Sequence, residues 1–439
     1  MLDNHNLKIR IVKNDHKESG QATGTWPIRK EEFAMPLVVQ KYGGTSVGNI
    51  ERIRNVAKRI ARYHDGGNSL VVVLSAMSGV TDGLIDLASQ ITRDPNRREM
   101  DVLLATGEQT TVSLMAITLV SMGYPAESML GYQVCVRTSD AYGRARILDI
   151  GKDRIQDVLK QNKIVIVAGF QGEDQFGNIT TLGRGGSDTS AVAIAAGLNA
   201  DVCEIFTDVD GVYTADPNVC EKARKIHRIS YDEMLNMSSL GAKVLQIRSV
   251  EFAKKYQVPI HVRSSFNEEQ GTMVVNEEKD MERVVVSSVT HNKNEARITL
   301  SRVPDVPGVA AKVLRAMANA GIIVDMIIQN TRQKNMTDIT FTVSKTDYEK
   351  ALEIEKKIGE EIGAETVAGD PNIAKVSVIG VGMRSHSGVA STMFDALARE
   401  NINIMMISTS EIRISCVIEE KYTELAVRTL HSAFELDAG

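Results

Sequence analysis

Residues 182–190 of this chain read LGRGGSDTS, and a small apolar stretch follows at once at residues 191–198. The three glycines let the backbone adopt positive φ angles and come close to a ligand. We predict a helix that begins here with Ser187 or Asp188 as its N-cap, so that free backbone amides attract an anion. The stretch therefore predicts a phosphate-binding turn between a strand and a helix. An ordinary glycine-rich corner is the alternative for an isolated match.

A second glycine-rich loop, KYGGTS at residues 41–46, follows the apolar run at 37–40, which is typical of a buried strand. Downstream apolar residues have the spacing of one helix face, namely Ile50, Ile53, Val56, Ala57, Ile60 and Ala61. The loop matches neither the GxxxxGK[ST] nor the GxGxxG pattern. Lys41 could place a charge in a phosphate site, and a solvated lysine at a sheet edge is the alternative.

The composition limits which classes of protein the chain can belong to. The 439 residues are 43% hydrophobic and 24% charged, which is typical of a globular chain of about three domains. The net charge of -5 argues against nucleic-acid binding. The apolar stretches fall short of a membrane span and the N-terminus does not resemble a signal peptide, so we predict a cytoplasmic protein without nucleic-acid or membrane partners. The four cysteines lack CxxC spacing and predict neither a zinc site nor disulfides.

Strand and helix patterns alternate from residue 37 to about residue 275. Buried strands are predicted at residues 70–74, 164–168, 202–207 and 260–263. The alternation predicts an α/β fold, an αβα sandwich with a mostly parallel sheet covered on both faces. We predict a short hairpin at residues 173–181, just before the main glycine loop. Two polar clusters, residues 267–271 and 276–280, indicate a domain boundary.

The C-terminal part contains an internal repeat. Residues 307–327 align with residues 387–407 at a shift of 80 positions. Each copy predicts a strand, a glycine turn, an amphipathic helix, two strands and a second helix, with first strands at 296–301 and 375–380. The pattern indicates two small βαββαβ, ferredoxin-like domains. A tandem dimerisation module without a ligand is the alternative.

Three motifs occur in one order: KYGGTSV at 41–47, LGRGGSD at 182–188 and TDVDGVYTADP at 207–217. Together they resemble the aspartate kinases of the amino acid kinase superfamily, and the repeat resembles paired ACT domains. The resemblance implies four segments, which are a leader or disordered arm at 1–35, an amino acid kinase catalytic domain at 36–275, and ACT domains at 276–365 and 366–439.

The resemblance implies ATP-dependent phosphorylation of the side-chain carboxylate of L-aspartate to 4-phospho-L-aspartate, the first step toward lysine, threonine and methionine. Two anion-binding loops with basic residues independently favour phosphoryl transfer, in which positioning and charge neutralisation dominate. A carboxylate acceptor is already ionised at neutral pH and needs no strong base. Mg²⁺ would bridge phosphate oxygens and keep several waters, so no protein metal ligand is named.

The resemblance also implies residue roles. Lys41 and Asp188 would be catalytic, with Lys41 neutralising the transferred phosphoryl group and Asp188 orienting Lys41 or acting within the phosphate site. The substrate-binding set would be Thr45, Ser75, Glu108, Arg184 and Ser187. Arg184 would hold the aspartate α-carboxylate with its planar fork, and Glu108 would bind the α-ammonium group. The alternative for Glu108 is a carboxylate at a helix start, and for Asp188 a helix N-cap.

The resemblance also implies which residues contact the nucleotide. They are Lys41, Gly43, Gly44, Thr207, Asp208, Tyr213, Asp216 and Lys243. One departure lies beside it, because the family usually has an arginine where this chain has Asn218. Lys222, Arg224 or Lys225 could compensate for the missing cation.

The paired ACT domains imply feedback by an end-product amino acid, which leaves lysine, threonine, both together or neither as the effector. The implied effector-contacting residues are Asp305, Gln329, Asn330, Ser391 and Ser408, with loop and strand-edge polar residues as the alternative. Partners would be a second copy in a homo-oligomer, or an ACT-only small subunit starting near Met281 in a mixed tetramer. Two rival functions remain open, namely a kinase for another amino acid such as glutamate, and a catalytically silent amino-acid sensor.

Overall fold

The computed structural model describes residues 35–242, 244–277, 285–332 and 335–438. The predicted N-terminal arm, apart from Met35, lies outside these residues, as do Lys243 and Met281. The chain divides into two compact units. The first unit consists of Met1–Val212, Ile226–Leu235 and Lys243–Asn276, and the second of Tyr213–Lys225, Asn236–Ala242 and Glu277–Gly439. The domain limits at residues 275 and 365 stay predictions.

The elements up to residue 275 alternate as the sequence predicts. The strands are β1 (Leu37–Tyr42), β2 (Ser69–Leu74), β3 (Ala126–Met129), β4 (Val136–Thr138), β5 (Ile147–Ile150), β6 (Ile164–Ala168), β7 (Gln171–Glu173), β8 (Ile179–Thr181), β9 (Val202–Thr207), β10 (Val212–Tyr213), β11 (Lys225–Ile226), β12 (Arg228–Ser230), β13 (Ile260–Ser264) and β14 (Thr272–Val275). The helices are α1 (Ile50–Asp65), α2 (Val80–Ile91), α3 (Arg97–Ser121), α4 (Asp153–Leu159), α5 (Gly186–Leu198), α6 (Tyr231–Ser239) and α7 (Ile247–Tyr256).

An eight-stranded sheet forms the first unit, in the order β12-β14-β13-β9-β1-β2-β6-β3. The five consecutive strands β9, β1, β2, β6 and β3 pair in parallel. At the other end of the sheet, β13 pairs antiparallel with β14. Every residue of β2 and β6 is buried, because helices cover both faces of the sheet. The αβα sandwich and the predicted strands are confirmed. The predicted hairpin is also present, as β7 paired antiparallel with β8.

Helix α3 is the one place in the described part of the chain where length and composition would allow a membrane span. Its most apolar 18-residue window has a mean hydropathy of 1.3 and is 39% buried. The helix contacts α1, β3 and β6 of the same unit. One such helix is weak evidence for a membrane, because core helices of globular proteins meet the same criteria.

The second unit contains the repeat. Its strands are β15 (Ser288–Pro304), β16 (Val324–Arg332), β17 (Met336–Val343), β18 (Thr366–Ile379), β19 (Met406–Ser410) and β20 (Arg413–Glu419), and its helices are α8 (Val309–Asn319), α9 (Tyr348–Ile362), α10 (Val389–Arg399) and α11 (Thr423–Ala433). They form one six-stranded sheet in the order β16-β17-β15-β18-β20-β19. The two ferredoxin-like modules are confirmed.

The two modules share their first strands, which the sequence did not predict. Strand β15 begins before the predicted residue 296 and pairs with β18 along two separate stretches, interrupted by register shifts near Asn292 and Glu295. One apolar core lies under α8 and α9, and another lies under α10 and α11. Val286 and Val289, from the start of the β15 region, belong to the second core, together with Ala215 and Cys220.

Candidate active site

The first glycine loop, residues 41–47, lies where β1 and its parallel neighbours end. The amide of Gly43 donates to the Phe206 carbonyl at 3.3 Å, and the carbonyl of Gly44 accepts the Ser78 amide at 3.2 Å. A Cβ on Gly44 would lie 2.8 Å from the Ala76 carbonyl oxygen, so only glycine fits without a shift. The carboxyl ends of parallel strands are the usual ligand-binding edge of such a sheet.

The loop after β2 lies against this first glycine loop. The Ser75 amide donates to the Tyr42 carbonyl at 3.2 Å, and the Ala76 amide donates to Oε1 of Glu108 at 2.9 Å. Glu108 is 3% exposed, and its Oε2 has no hydrogen-bond partner among the described residues. Burial raises the pKa of Glu108 to about 7, and the Ala76 amide opposes part of that rise. A cation beside Oε2 would restore the ionised form.

The position of Glu108 shows that the alternative given for it, a carboxylate at a helix start, was wrong. It lies in the middle of the 25-residue helix α3, not at a helix start, so the macrodipole does not explain it. The sequence could not show this, because the helix continues through Gly107. A Cβ on Gly107 would lie 2.8 Å from the Ala76 Cβ, which explains a glycine in mid-helix.

The second glycine loop, residues 182–190, leads into α5. The N-cap of α5 is Gly185, with a φ of 71°, and no side chain caps the helix. The prediction of Ser187 or Asp188 as the cap was wrong, because the helix begins at Gly186 and both residues fall within its first turn. The Gly186 amide donates to the Gly183 carbonyl at 2.9 Å, whereas no side-chain cap uses the amides of Ser187 and Asp188, which stay available to an anion.

Lys41 and Asp188 come together from the two glycine loops. The Nζ of Lys41 lies 2.6 Å from Oδ1 of Asp188, and the two side chains are 11% and 10% exposed. A pair this close with so little water is tightly held. Asp188 therefore forms an ion pair with the one lysine of the first glycine loop.

The other predicted substrate residues differ in exposure. Arg184 is exposed, and among the described residues its side chain makes no hydrogen bond or ion pair. Ser187 is 7% exposed, and its Cβ lies 2.9 Å from the position a Cβ on Gly169 would take. Thr45 is exposed at the tip of the first glycine loop, and its carbonyl accepts from the Arg52 guanidinium at 2.6 Å.

The predicted nucleotide residues fall into both units. Thr207 is the last residue of strand β9 in the first unit and Asp208 follows it, and the Thr207 hydroxyl donates to Oδ1 of Asp208 at 3.1 Å. Tyr213 and Asp216 belong to the second unit. Asn218, where the family usually has an arginine, stabilises the local turn. Its backbone amide and its side-chain amide both donate to Oδ1 of Asp216, at 2.9 and 3.1 Å. Lys243 lies outside the described residues.

The predicted effector residues do not form one site within a chain. Gln329 and Asn330 lie on β16 and Ser408 lies on β19, which are the opposite edges of the six-stranded sheet. Five strand spacings separate these edges by roughly 24 Å. Asp305 and Ser391 are exposed near the starts of α8 and α10.

Sequence reasoning missed the residues that hold the second glycine loop. Asp101 is 1% exposed and accepts hydrogen bonds from the Gly143 amide at 3.0 Å and from the amide and hydroxyl of Thr181, each at 2.7 Å. The guanidinium of Arg248 donates to the Leu182 carbonyl at 2.6 Å and to the Ala145 carbonyl at 2.9 Å. No motif identifies these residues, because their partners are mostly backbone groups far away in the sequence.

Comparison with known proteins agrees with this arrangement. A model of the amino acid kinase family matches residues 36–264, more than half of the chain, and two ACT domain models match residues 297–360 and 376–434. Fold and site thus define the class, an amino acid kinase domain joined to paired ACT domains.

Individual relatives narrow this class. An aspartate kinase of Stutzerimonas stutzeri is 58% identical over 92% of this chain and 98% of its own, and an aspartokinase of Pseudomonas aeruginosa is 56% identical over the same shares. The structure of E. coli aspartokinase III with aspartate and ADP is 26% identical, with a TM-score of 0.74, over 90% of this chain and 99% of that one. A lysine-bound and aspartate-bound form of the same enzyme has a TM-score of 0.72. The chain belongs to the aspartate kinase family, which confirms the resemblance.

Proposed function

We propose that this kinase transfers the γ-phosphoryl group of ATP to the side-chain carboxylate of L-aspartate and releases 4-phospho-L-aspartate, the entry step to lysine, threonine and methionine. The observation that carries the proposal is the Lys41–Asp188 pair, which joins the two glycine loops at 2.6 Å. A carboxylate oxygen of aspartate attacks phosphorus, the bond to the β,γ-bridging oxygen breaks, and ADP leaves with that electron pair.

Lys41 supplies charge to this transfer. Its ammonium group neutralises negative charge on the transferred phosphoryl oxygens, while Asp188 fixes the direction of Nζ. The amides of the first glycine loop and of the α5 start add hydrogen bonds to phosphate oxygens. Because the acceptor is already an anion, the transfer needs no general base. The ion-pair partner of Lys41 among the described residues is Asp188, not a histidine.

Glu108 and Arg184 select the acceptor in this proposal. The unpartnered Oε2 of buried Glu108 binds the α-ammonium group of aspartate, which gives that oxygen its missing partner. The exposed Arg184 closes on the α-carboxylate with two parallel hydrogen bonds. The side-chain carboxylate is then the free nucleophile.

ATP fits the described residues, and Mg²⁺ would be held through the nucleotide. Gly43 and Gly44 place no side chain at the proposed phosphate position, and Gly44 packs so closely that a Cβ there would lie 2.8 Å from the Ala76 carbonyl oxygen. The described residues contain no group of three or more His, Cys, Asp or Glu side chains that could hold a metal ion. Mg²⁺ would arrive with ATP, coordinated by phosphate oxygens and water, and would neutralise charge there.

Regulation by lysine, threonine or both belongs to the same proposal. The exposed Gln329 and Asn330 and the half-buried Ser408 lie on opposite sheet edges, so a site that uses both sets needs a second chain. We therefore propose a homo-oligomer, or a mixed tetramer with an ACT-only subunit, with the effector bound between chains. The net charge of -5 is compatible with a cytoplasmic location.

Hydroxylamine trapping tests the proposal. The full chain is incubated with ATP, Mg²⁺, hydroxylamine and either aspartate or glutamate, and the hydroxamate is measured. We expect a signal with aspartate that depends on ATP. A signal with glutamate but not with aspartate would show that glutamate is the substrate. No signal with either would favour the amino-acid sensor. Repeating the assay with lysine and threonine, singly and together, identifies the effector.

A further inference from the structure

A buried arginine of α1 fastens the turn that follows β13. The Arg59 side chain is 7% exposed. Its guanidinium donates to the Ser264 carbonyl at 2.7 Å, to the Asn267 carbonyl at 2.7 Å and to Oε1 of Glu268 at 3.1 Å. It also lies over the Phe206 ring, 4.9 Å from the centroid. All three hydrogen-bonded partners belong to residues 264–268, which we call the β13 turn.

The β13 turn in turn holds the first glycine loop. The Ser265 amide donates to the Thr207 carbonyl at 2.8 Å, which fixes the position of Ser265 at the end of β9. The hydroxyl oxygen of Ser265 lies 2.5 Å from the hydroxyl oxygen of Ser46. Ser46 is 1% exposed and closes the glycine turn, because its amide donates to the Gly43 carbonyl at 2.9 Å.

Burying a guanidinium is costly unless its hydrogen bonds are satisfied, so an arginine at this position is a poor choice for packing alone. Two of the bonds from Arg59 go to backbone carbonyls of the β13 turn. Among the described residues, the Ser46–Ser265 pair is the side-chain hydrogen bond that joins this turn to the first glycine loop. The arrangement therefore has the form of a support for the loop that carries Lys41.

We propose that Ser265, held by Arg59, is a positioning residue for phosphoryl transfer. It keeps the first glycine loop in the geometry that binds the nucleotide phosphates, and it does not touch the substrate itself. The proposal rests on the phosphoryl-transfer function proposed above. It deepens that function by adding two residues that no glycine motif contains.

The test compares Ser265→Ala with Ser265→Thr in the full chain. Alanine leaves the buried Ser46 hydroxyl without its partner, whereas threonine retains a hydroxyl at a half-buried position. For Ser265→Ala we expect the Kd for ADP, measured by calorimetry without aspartate, and the KM for ATP to rise about fivefold. We expect kcat to fall by a similar factor, the KM for aspartate to stay within twofold, and Ser265→Thr to stay near the wild type.

Ser377→Ala is the matched control. Its hydroxyl pairs with that of Ser415 at 2.7 Å, also buried, in the second unit. We expect a comparable loss of thermal stability in this variant with unchanged ADP affinity. An equal effect of the two alanine variants on ADP binding would overturn the proposal, and so would an ADP affinity of Ser265→Ala within twofold of the wild type.

Arg59→Lys extends the test to the arginine. Lysine keeps the charge but loses the fork that reaches two carbonyls. If Arg59 acts through Ser265, the two losses are not additive. The ADP affinity of the double variant Arg59→Lys/Ser265→Ala should then stay within about twofold of the weaker-binding single variant. Fully additive losses would separate Arg59 from Ser265 and overturn that link. Because ADP binding is measured without turnover, this test stays valid if the trapping assay rejects aspartate as substrate.

Discussion

The two glycine loops are built in opposite ways. In the first glycine loop the functional cation, Lys41, is 11% exposed and already paired with Asp188. In the second, Arg184, the cation that the proposal assigns to the substrate, is exposed and makes no hydrogen bond or ion pair within the part of the chain that the structure describes. The backbone of the second loop is held by Asp101 and Arg248, so the two loops differ in their cations: Lys41 is fixed by an ion pair, whereas the Arg184 side chain stays open to solvent.

The difference follows from what each loop has to do in the proposed reaction. Charge that develops on a transferred phosphoryl group is stabilised best by a cation whose position is fixed beforehand. A substrate carboxylate must instead enter and leave, and an exposed guanidinium can close on it with two hydrogen bonds. The comparison predicts that damage to the first loop lowers turnover, and damage to the second lowers affinity for aspartate.

The largest effect is expected for Lys41→Met. We expect kcat to fall about a thousandfold, because the variant loses the preorganised charge on the phosphoryl oxygens. The change also leaves Asp188 as an uncompensated buried carboxylate, so folding is checked by circular dichroism at the assay temperature. The exposed Lys58 on α1 gives the matched control Lys58→Met, which should keep full activity. A kcat of Lys41→Met within tenfold of wild type would contradict the role of the first loop.

Arg184→Ala should act on substrate affinity. We expect the KM for aspartate to rise about a hundredfold with little change in the KM for ATP, because a two-pronged, charge-assisted contact is lost. Initial rates over a grid of both substrates separate the two constants. Arg184→Lys should recover only part of the loss, since an ammonium group lacks the planar fork. An unchanged aspartate KM would remove Arg184 from the acceptor site.

Glu108 gives a smaller, pH-dependent effect. Its pKa is raised by burial to about 7, so the free enzyme carries a protonated Glu108 below that pH and must lose the proton to bind an ammonium group. The KM for aspartate should therefore rise toward about tenfold per pH unit as the pH falls below 7. The variant Glu108→Gln should have a higher KM whose pH dependence is lost between pH 6 and 8. A wild-type KM that does not change over this range would contradict the assigned contact.

Much of the fold and site was predictable from local patterns. Strands such as β2 and β6 are continuous apolar runs, and the glycines of both loops mark turns that other residues fit poorly. The repeat at 80 positions predicts two similar modules in the second unit. The polar supports of the site were not predictable, because Asp101, Arg248 and Ser265 bind groups distant in sequence and carry no spacing of their own.

The sequence by itself determined the order of the elements, the two glycine-rich loops and the kinase–ACT arrangement, since these depend on local conformational preferences and short motifs. Only the tertiary structure decided that Asp188 pairs with Lys41 and does not cap α5, that Glu108 lies buried in mid-helix, and that β15 and β18 each serve both modules. Each of these depends on which surfaces meet when the chain folds. Burial then sets the partners and the charge state of the groups enclosed there.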